Sequence, residues 1–189
     1  EETSWSGAIG EVKDSSGNSN HGVRLGSAAS TANGRVCRGL DVPADTTTAS
    51  SGVDSAVPVN TSLGASGSMS FWYAGNQAWS STTAAMLMDA TPVATRPFHL
   101  SRQSGGVLRF TVADSAGTTL TLNAPAQSIG ASTWTHVVAT WTLRAGSNAS
   151  GLQLYINGTL AGSLTGTTTG TLDVSHGALF LGDNRSTAT

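Results

Sequence analysis

The chain has 189 residues, a net charge of −2, only 11% charged residues and 23 glycines. Its nine Lys and Arg are scattered and form no basic stripe, which argues against a nucleic-acid partner and an anionic membrane surface, and no apolar run is long enough to span a membrane. Lys13 is the sole lysine and Glu occurs only as Glu1, Glu2 and Glu11, so no charged amphipathic helix can be written and one all-β domain is expected.

Residues 11–22 form a polar, Gly- and Asn-rich run that suits neither helix nor strand. Asp14 and Asn18 can accept hydrogen bonds from nearby backbone N–H groups and fix Asx-type turns. The competing reading makes Asp14, Asn18, Asn20 and His21 a metal or ligand site, although the D-x-D-x-D spacing of a calcium loop is absent. The alternation over 35–42 predicts a short strand with Cys37 as a small buried hydrophobe, and a single cysteine excludes an internal disulfide. A strand over 53–59 is expected at a sheet edge, because Pro58 cannot donate to a ladder.

Residues 68–74 place Met69, Phe71 and Tyr73 on one strand face and Trp72 on the other, which predicts a strand in the sheet interior. The loop 75–83 sets Trp79 among Asn76, Gln77, Ser80 and Ser81. An indole there is either an exposed platform for the C–H face of a sugar or a plug folded back into the core. Short strands follow at 84–89, 97–102, 106–113 and 118–123, the last two joined by Asp114-Ser115-Ala116-Gly117, and this spacing is that of an antiparallel β-sandwich. The segment 134–141 carries apolar side chains on both faces and reads as a central strand; 152–160 reads as a hairpin around the type I′ turn signal Asn157-Gly158. Residues 143–151 and 165–171 read as surface connections, and 178–182 as a final short strand.

Four motifs in this order, 14–22, 134–141, 154–160 and 179–182, resemble those of laminin-G-like domains of the concanavalin A-like lectin/glucanase superfamily. The resemblance covers nearly the whole chain and implies a jelly-roll sandwich of two antiparallel sheets. More narrowly, the sequence is similar to such domains in bacterial proteins encoded with mannose-sensitive haemagglutinin pili, which implies a cell-surface or extracellular setting within a larger secreted protein, with a glycan or a pilus or cell-surface protein as partner. The family's closing Gly-x-Ile-Asp-Glu-Val-like motif does not follow Asp183, so a missing or excised closing strand is expected. The resemblance also implies calcium at the sheet rim, for which Asp14, Asn18, Asp41 and Asp183 are the candidate ligands.

Three functions compete: a non-catalytic binding module, a glycoside hydrolase or lyase, and a structural spacer. Hydrolysis needs two converging carboxyl groups, about 5–5.5 Å apart for retention, and Asp89 with Asp114 is the pair available, outside any acidic strand motif. No Gly-x-Ser-x-Gly elbow is present. His136 is expected to bond a backbone group or neighbouring hydroxyl, and His21, His99 and His176 lack zinc-ligand spacing. Binding is the favoured reading, with Trp79, Asn76, Gln77, Arg96, His99 and Arg102 as ligand contacts, Trp5 and Asp89 as further contributors, and the loops 75–83 and 90–97 as the recognition edge.

Overall fold

Side chains that alternate between a buried and a wetter face fix where the core of this chain lies. The computed structural model describes residues 2–43 and 51–182. In chain order its strands are β1 (Val23–Leu25), β2 (Ala29–Thr31), β3 (Gly39–Asp41), β4 (Gly52–Pro58), β5 (Ser66–Tyr73) and β6 (Ala85–Asp89). Then come β7 (Phe98–Arg102), β8 (Leu108–Ala113), β9 (Thr119–Ala124), β10 (Thr135–Thr142), β11 (Gly146–Ile156), β12 (Thr159–Thr168) and β13 (Ala178–Leu181). A one-turn helix, α1 (Val59–Ser62), follows β4.

The strands build a seven-stranded sheet in the order β1-β4-β13-β6-β7-β8-β9 and a four-stranded sheet in the order β12-β11-β10-β5, with β2 and β3 as a separate ribbon. Every pairing between named strands is antiparallel. This is the all-β jelly-roll sandwich expected from the sequence. In β10 the buried residues are Thr135, Val137, Ala139 and Trp141, while the alternate residues are half-buried. Across the larger sheet, register aligns Met88, Leu100, Phe110 and Leu122 in one buried row. Phe98 meets Phe110 and Trp141 edge-on, with centroids 5.9 and 5.4 Å apart, so the sheets join through an aromatic cluster.

Turn chemistry behaves as written in the sequence. Asn157 and Gly158 have φ of 50° and 80°, as a type I′ turn requires, and the Asn157 side chain also accepts a hydrogen bond from His136 N–H. Asp114 clamps the β8–β9 turn: its carboxylate accepts from the N–H groups of Ala116, Thr118 and, from another loop, Thr169. One margin of the sandwich is closed by glycine. A Cβ on Gly162 would stand 3.3 Å from Ala124 Cα, and one on Gly166 would stand 2.5 Å from Leu120 Cδ2, so β12 lies directly on β9.

Five expectations need correction. β5 is an edge strand, not an interior one, because its sole sheet neighbour is β10. β4 is interior, between β1 and β13; Pro58 is its last residue, beyond the three positions that β1 covers, so its missing N–H does not interrupt the β1 ladder. The 35–42 stretch is strand only at Gly39–Asp41, and Cys37 sits exposed in a tight turn at φ 61°. Both polar connections, 143–151 and 165–171, are partly strand, because β11 and β12 extend into them. Ser150 Oγ and Thr168 Oγ1 are 2.5 Å apart there, so cross-strand hydroxyl bonding stands in for apolar packing.

Candidate functional site

The other margin, along β5, holds a groove of 740 Å³. Alternation along the edge strand supplies two kinds of side chain to it: Phe71 and Tyr73 from the face that packs on the core, and Trp72 from the face shared with Ser68 and Ser70. Opposite them stand Met86, Leu87 and Met88 of β6 and Leu181 at the end of β13, and the turn 34–43 closes the third side.

Trp72 is 40% exposed. Its ring packs on that of His136 with centroids 5.1 Å apart, and His136 Nε2 lies 2.8 Å from Ser70 Oγ, so a neighbouring hydroxyl holds the imidazole as the sequence suggested. The Arg35 guanidinium carbon lies 5.0 Å from the Trp72 ring centroid, a cation–π contact at the mouth of the groove. Half-buried Trp134 adds a further indole to the lining.

Arg102 is the unusual member. It belongs to the inward row of β7, in register with Ala85 and Leu108, and is 3% exposed. Its Nη1 donates to the Trp79 carbonyl at 3.3 Å and its buried Nε has no hydrogen-bond partner. Among the described residues the ion pair found is Arg96 with Asp173, so no carboxylate compensates Arg102. Among the described residues, Arg35, Arg38 and Arg102 line the groove with one acid, Asp41.

Several residues singled out in the sequence do meet here. Asn76 and Gln77 are exposed on the groove rim, with Gln77 Oε1 accepting from Ser81 Oγ, and Arg102 and Asp41 line the groove as well. Trp79 is not an exposed platform. It is 1% exposed, its backbone N–H donates to Ile129 O at 2.9 Å, and its ring packs 6.1 Å from that of Tyr73, so the polar loop folds back and buries its indole behind the groove. Its role toward the site is the carbonyl that Arg102 bonds.

Arg96 lies outside the groove lining, paired through Nε with Asp173 Oδ2 at 3.2 Å and packed over Gly117. His99 occupies the opposite face of β7 from Phe98 and Leu100, in register with Asp89 and Thr111. Burial pushes its imidazole below the ordinary value, Asp89 draws it back up and Arg109 lowers it again. The loop 90–97 contributes nothing to the lining, and neither does half-buried Trp5. Trp72, Trp134 and Arg35 are the contributors missed from sequence. A signal for Trp72 existed in Ser68 and Ser70, which mark its strand face as the wetter one.

Among the described residues the candidate calcium ligands Asp14 and Asn18 engage the 14–20 turn, while Asp41 lines the groove. Asp14 Oδ1 accepts from Ser16 N–H, and its Oδ2 from Ser16 Oγ and Asn20 N–H. These bonds, the Ser16 hydroxyl foremost, hold the carboxyl below the usual carboxylate range. Asn18 donates to Ser16 Oγ, Asp41 lines the groove, and Asp183 lies outside the described residues. Among the described residues no three His, Cys, Asp or Glu come together to hold a metal. The carboxylates considered for hydrolysis serve turns: Asp89 Oδ1 accepts from Thr91 N–H, and Asp114 takes three backbone donors.

The fold is similar to that of the binding domain of Paraclostridial Mosquitocidal Protein 1, with a TM-score of 0.57 and 14% identity over 96% of this chain and 47% of that one. This chain thus spans about half the length of that toxin domain. It is also similar to endo-β-1,4-glucuronan lyase from the fungus Trichoderma reesei, with a TM-score of 0.53 and 12% identity over 86% and 75% of the two chains. The CBM40 of the Ruminococcus gnavus IT-sialidase, bound to α2,3-sialyllactose, gives a TM-score of 0.45 and 20% identity over 64% and 65%. The likenesses to the toxin domain and the lyase are of fold. No curated protein matches the sequence. A family model of laminin-G type, described as concanavalin A-like lectin/glucanases superfamily, matches residues 46–189, and the chain therefore belongs to the laminin-G-like family of that superfamily.

Proposed function

We propose that this domain is a non-catalytic binding module, displayed outside the cytoplasm, that takes a glycan in the groove beside β5. The observation that carries the reading is Trp72: a large indole, 40% exposed, on a rigid strand and backed by His136. Water gains nothing from such a surface, whereas the C–H face of a pyranose packs on it while hydroxyls bond flanking amides, here Asn76 and Gln77. A binding role without cleavage is supported by the acids. Glycosidic hydrolysis uses a pair of carboxyl groups; among the described residues Asp41 is the acid that lines the groove, and Asp89 and Asp114 are committed to backbone turns. A pilus-associated parent protein, which the sequence resembles, would use such a module as an adhesive head.

A glycan array followed by calorimetry tests the reading. Trp72→Ala should weaken binding by about 1–3 kcal/mol, the usual worth of stacking on an aromatic side chain, with little change in melting temperature. Failure of every glycan to bind would leave the structural spacer, and capture of an extended peptide along the unpaired edge of β5 would replace sugar by protein as the partner. Release of reducing sugar from a bound polysaccharide would make the domain an enzyme.

A further inference from the structure

Resting on the groove as a glycan site, we propose that its ligand is acidic: a carboxylate-bearing sugar whose carboxylate is received by Arg102. A guanidinium removed from water needs an anion or a full set of acceptors, since desolvation of an unpaired charge is costly. Arg102 has neither. Its one hydrogen bond goes to a neutral carbonyl at 3.3 Å, its buried Nε is unpartnered, and its register neighbours Ala85 and Leu108 offer no side-chain acceptor. Arg102 is among the residues lining the groove, so the missing acceptor can come from there.

The other cations agree in sign. Arg38 donates from Nε to Ser30 Oγ and from Nη2 to Thr3 O, and Arg35 lies over Trp72, so both side chains are held at the mouth by neutral groups. Among the described residues the lining sets Asp41 against three arginines, a local excess of positive charge in a chain whose net charge is −2. The planar fork of a guanidinium matches the two oxygens of a carboxylate, and the pair is strongest where water is excluded. Trp72 at the exposed end and Arg102 at the buried end therefore suit a sugar that offers a ring face and a carboxylate.

The test compares uronate- and sialate-bearing oligosaccharides with their carboxyl-reduced, neutral counterparts, alongside sulfated sugars, on the intact domain. Carboxylated members should bind at least tenfold more tightly than the reduced ones, with the preference shrinking as salt rises. Arg102→Gln should bring the ratio toward one, and Arg102→Lys should restore part of it. Equal affinity for carboxylated and reduced sugars would overturn the acidic ligand while leaving a glycan site in place. A preference for sulfated sugars would overturn the carboxylate. Binding of no sugar would end both readings. The wild-type comparison stands without the variants if Arg102→Gln fails to fold.

Discussion

At Gly67 the hydrogen atom matters because Trp141 occupies the space where a side chain would begin. A Cβ there would stand 2.3 Å from Trp141 Cζ2, and the indole is held on that same side by a hydrogen bond from Nε1 to Gly64 O. Gly67→Ala should therefore cost about 1–3 kcal/mol, read by chemical denaturation, through displacement of the ring at the centre of the aromatic cluster. A denaturation midpoint equal to that of the wild type would mean that the ring can move. His99 gives a second residue-scale expectation, this time in pH. Burial favours its neutral form, with Asp89 opposing and Arg109 assisting, so the folded pKa lies below the ordinary 6.5. Unfolded chains then bind the proton first as pH falls. The stabilisation is complete above about pH 6.5 and is lost as pH descends through the lower folded value. His99→Gln should flatten the stability profile in that window and leave the profile above it unchanged; an equal slope in both proteins would assign the dependence to other groups.

Among elements, what could be read from the sequence was what is local. The β8–β9 turn at Asp114, the Asn157-Gly158 turn, the positions of β6 to β10 and the alternation of β9 and β10 depend on neighbours in the chain, and each is where its residues place it. Gly158 has φ 80° with nothing within 4 Å of its missing Cβ, so Gly158→Val probes the backbone alone and should cost about 1 kcal/mol or more in a melting or denaturation series. An unchanged midpoint would show that the hairpin tolerates another turn. Strand order was not legible, because it is set by pairing between distant segments. Nothing within 68–74 tells that β5 has one neighbour, and nothing within 53–59 tells that β13 lies beside β4. The same limit explains the indoles. Trp79 sits among polar residues in sequence, yet its environment is built by Ile129 and Tyr73. Trp72 sits in an apolar strand, yet its face is the one shared with Ser68 and Ser70. Arg102 was singled out as polar, but its lack of a counter-charge is a property of the folded core.

On the scale of the molecule the two margins of the sandwich differ. Glycines let β12 lie on β9 along one, and aromatic and arginine side chains line an opening along the other, so recognition is built from strands more than from loops. The larger sheet has a further property in its order. β13, four residues long and the last strand among the described residues, sits between β4 and β6. Without it the sheet is two separate pieces, β1-β4 and β6-β7-β8-β9. During synthesis, at about 5–20 residues per second, both pieces must wait for their shared neighbour, each presenting unpaired N–H and C=O groups along a bare edge. Assembly of the larger sheet is therefore completed late: its two pieces are most open to strand-grabbing by other chains, and to holding by chaperones, until Ala178–Leu181 has emerged to bolt them together.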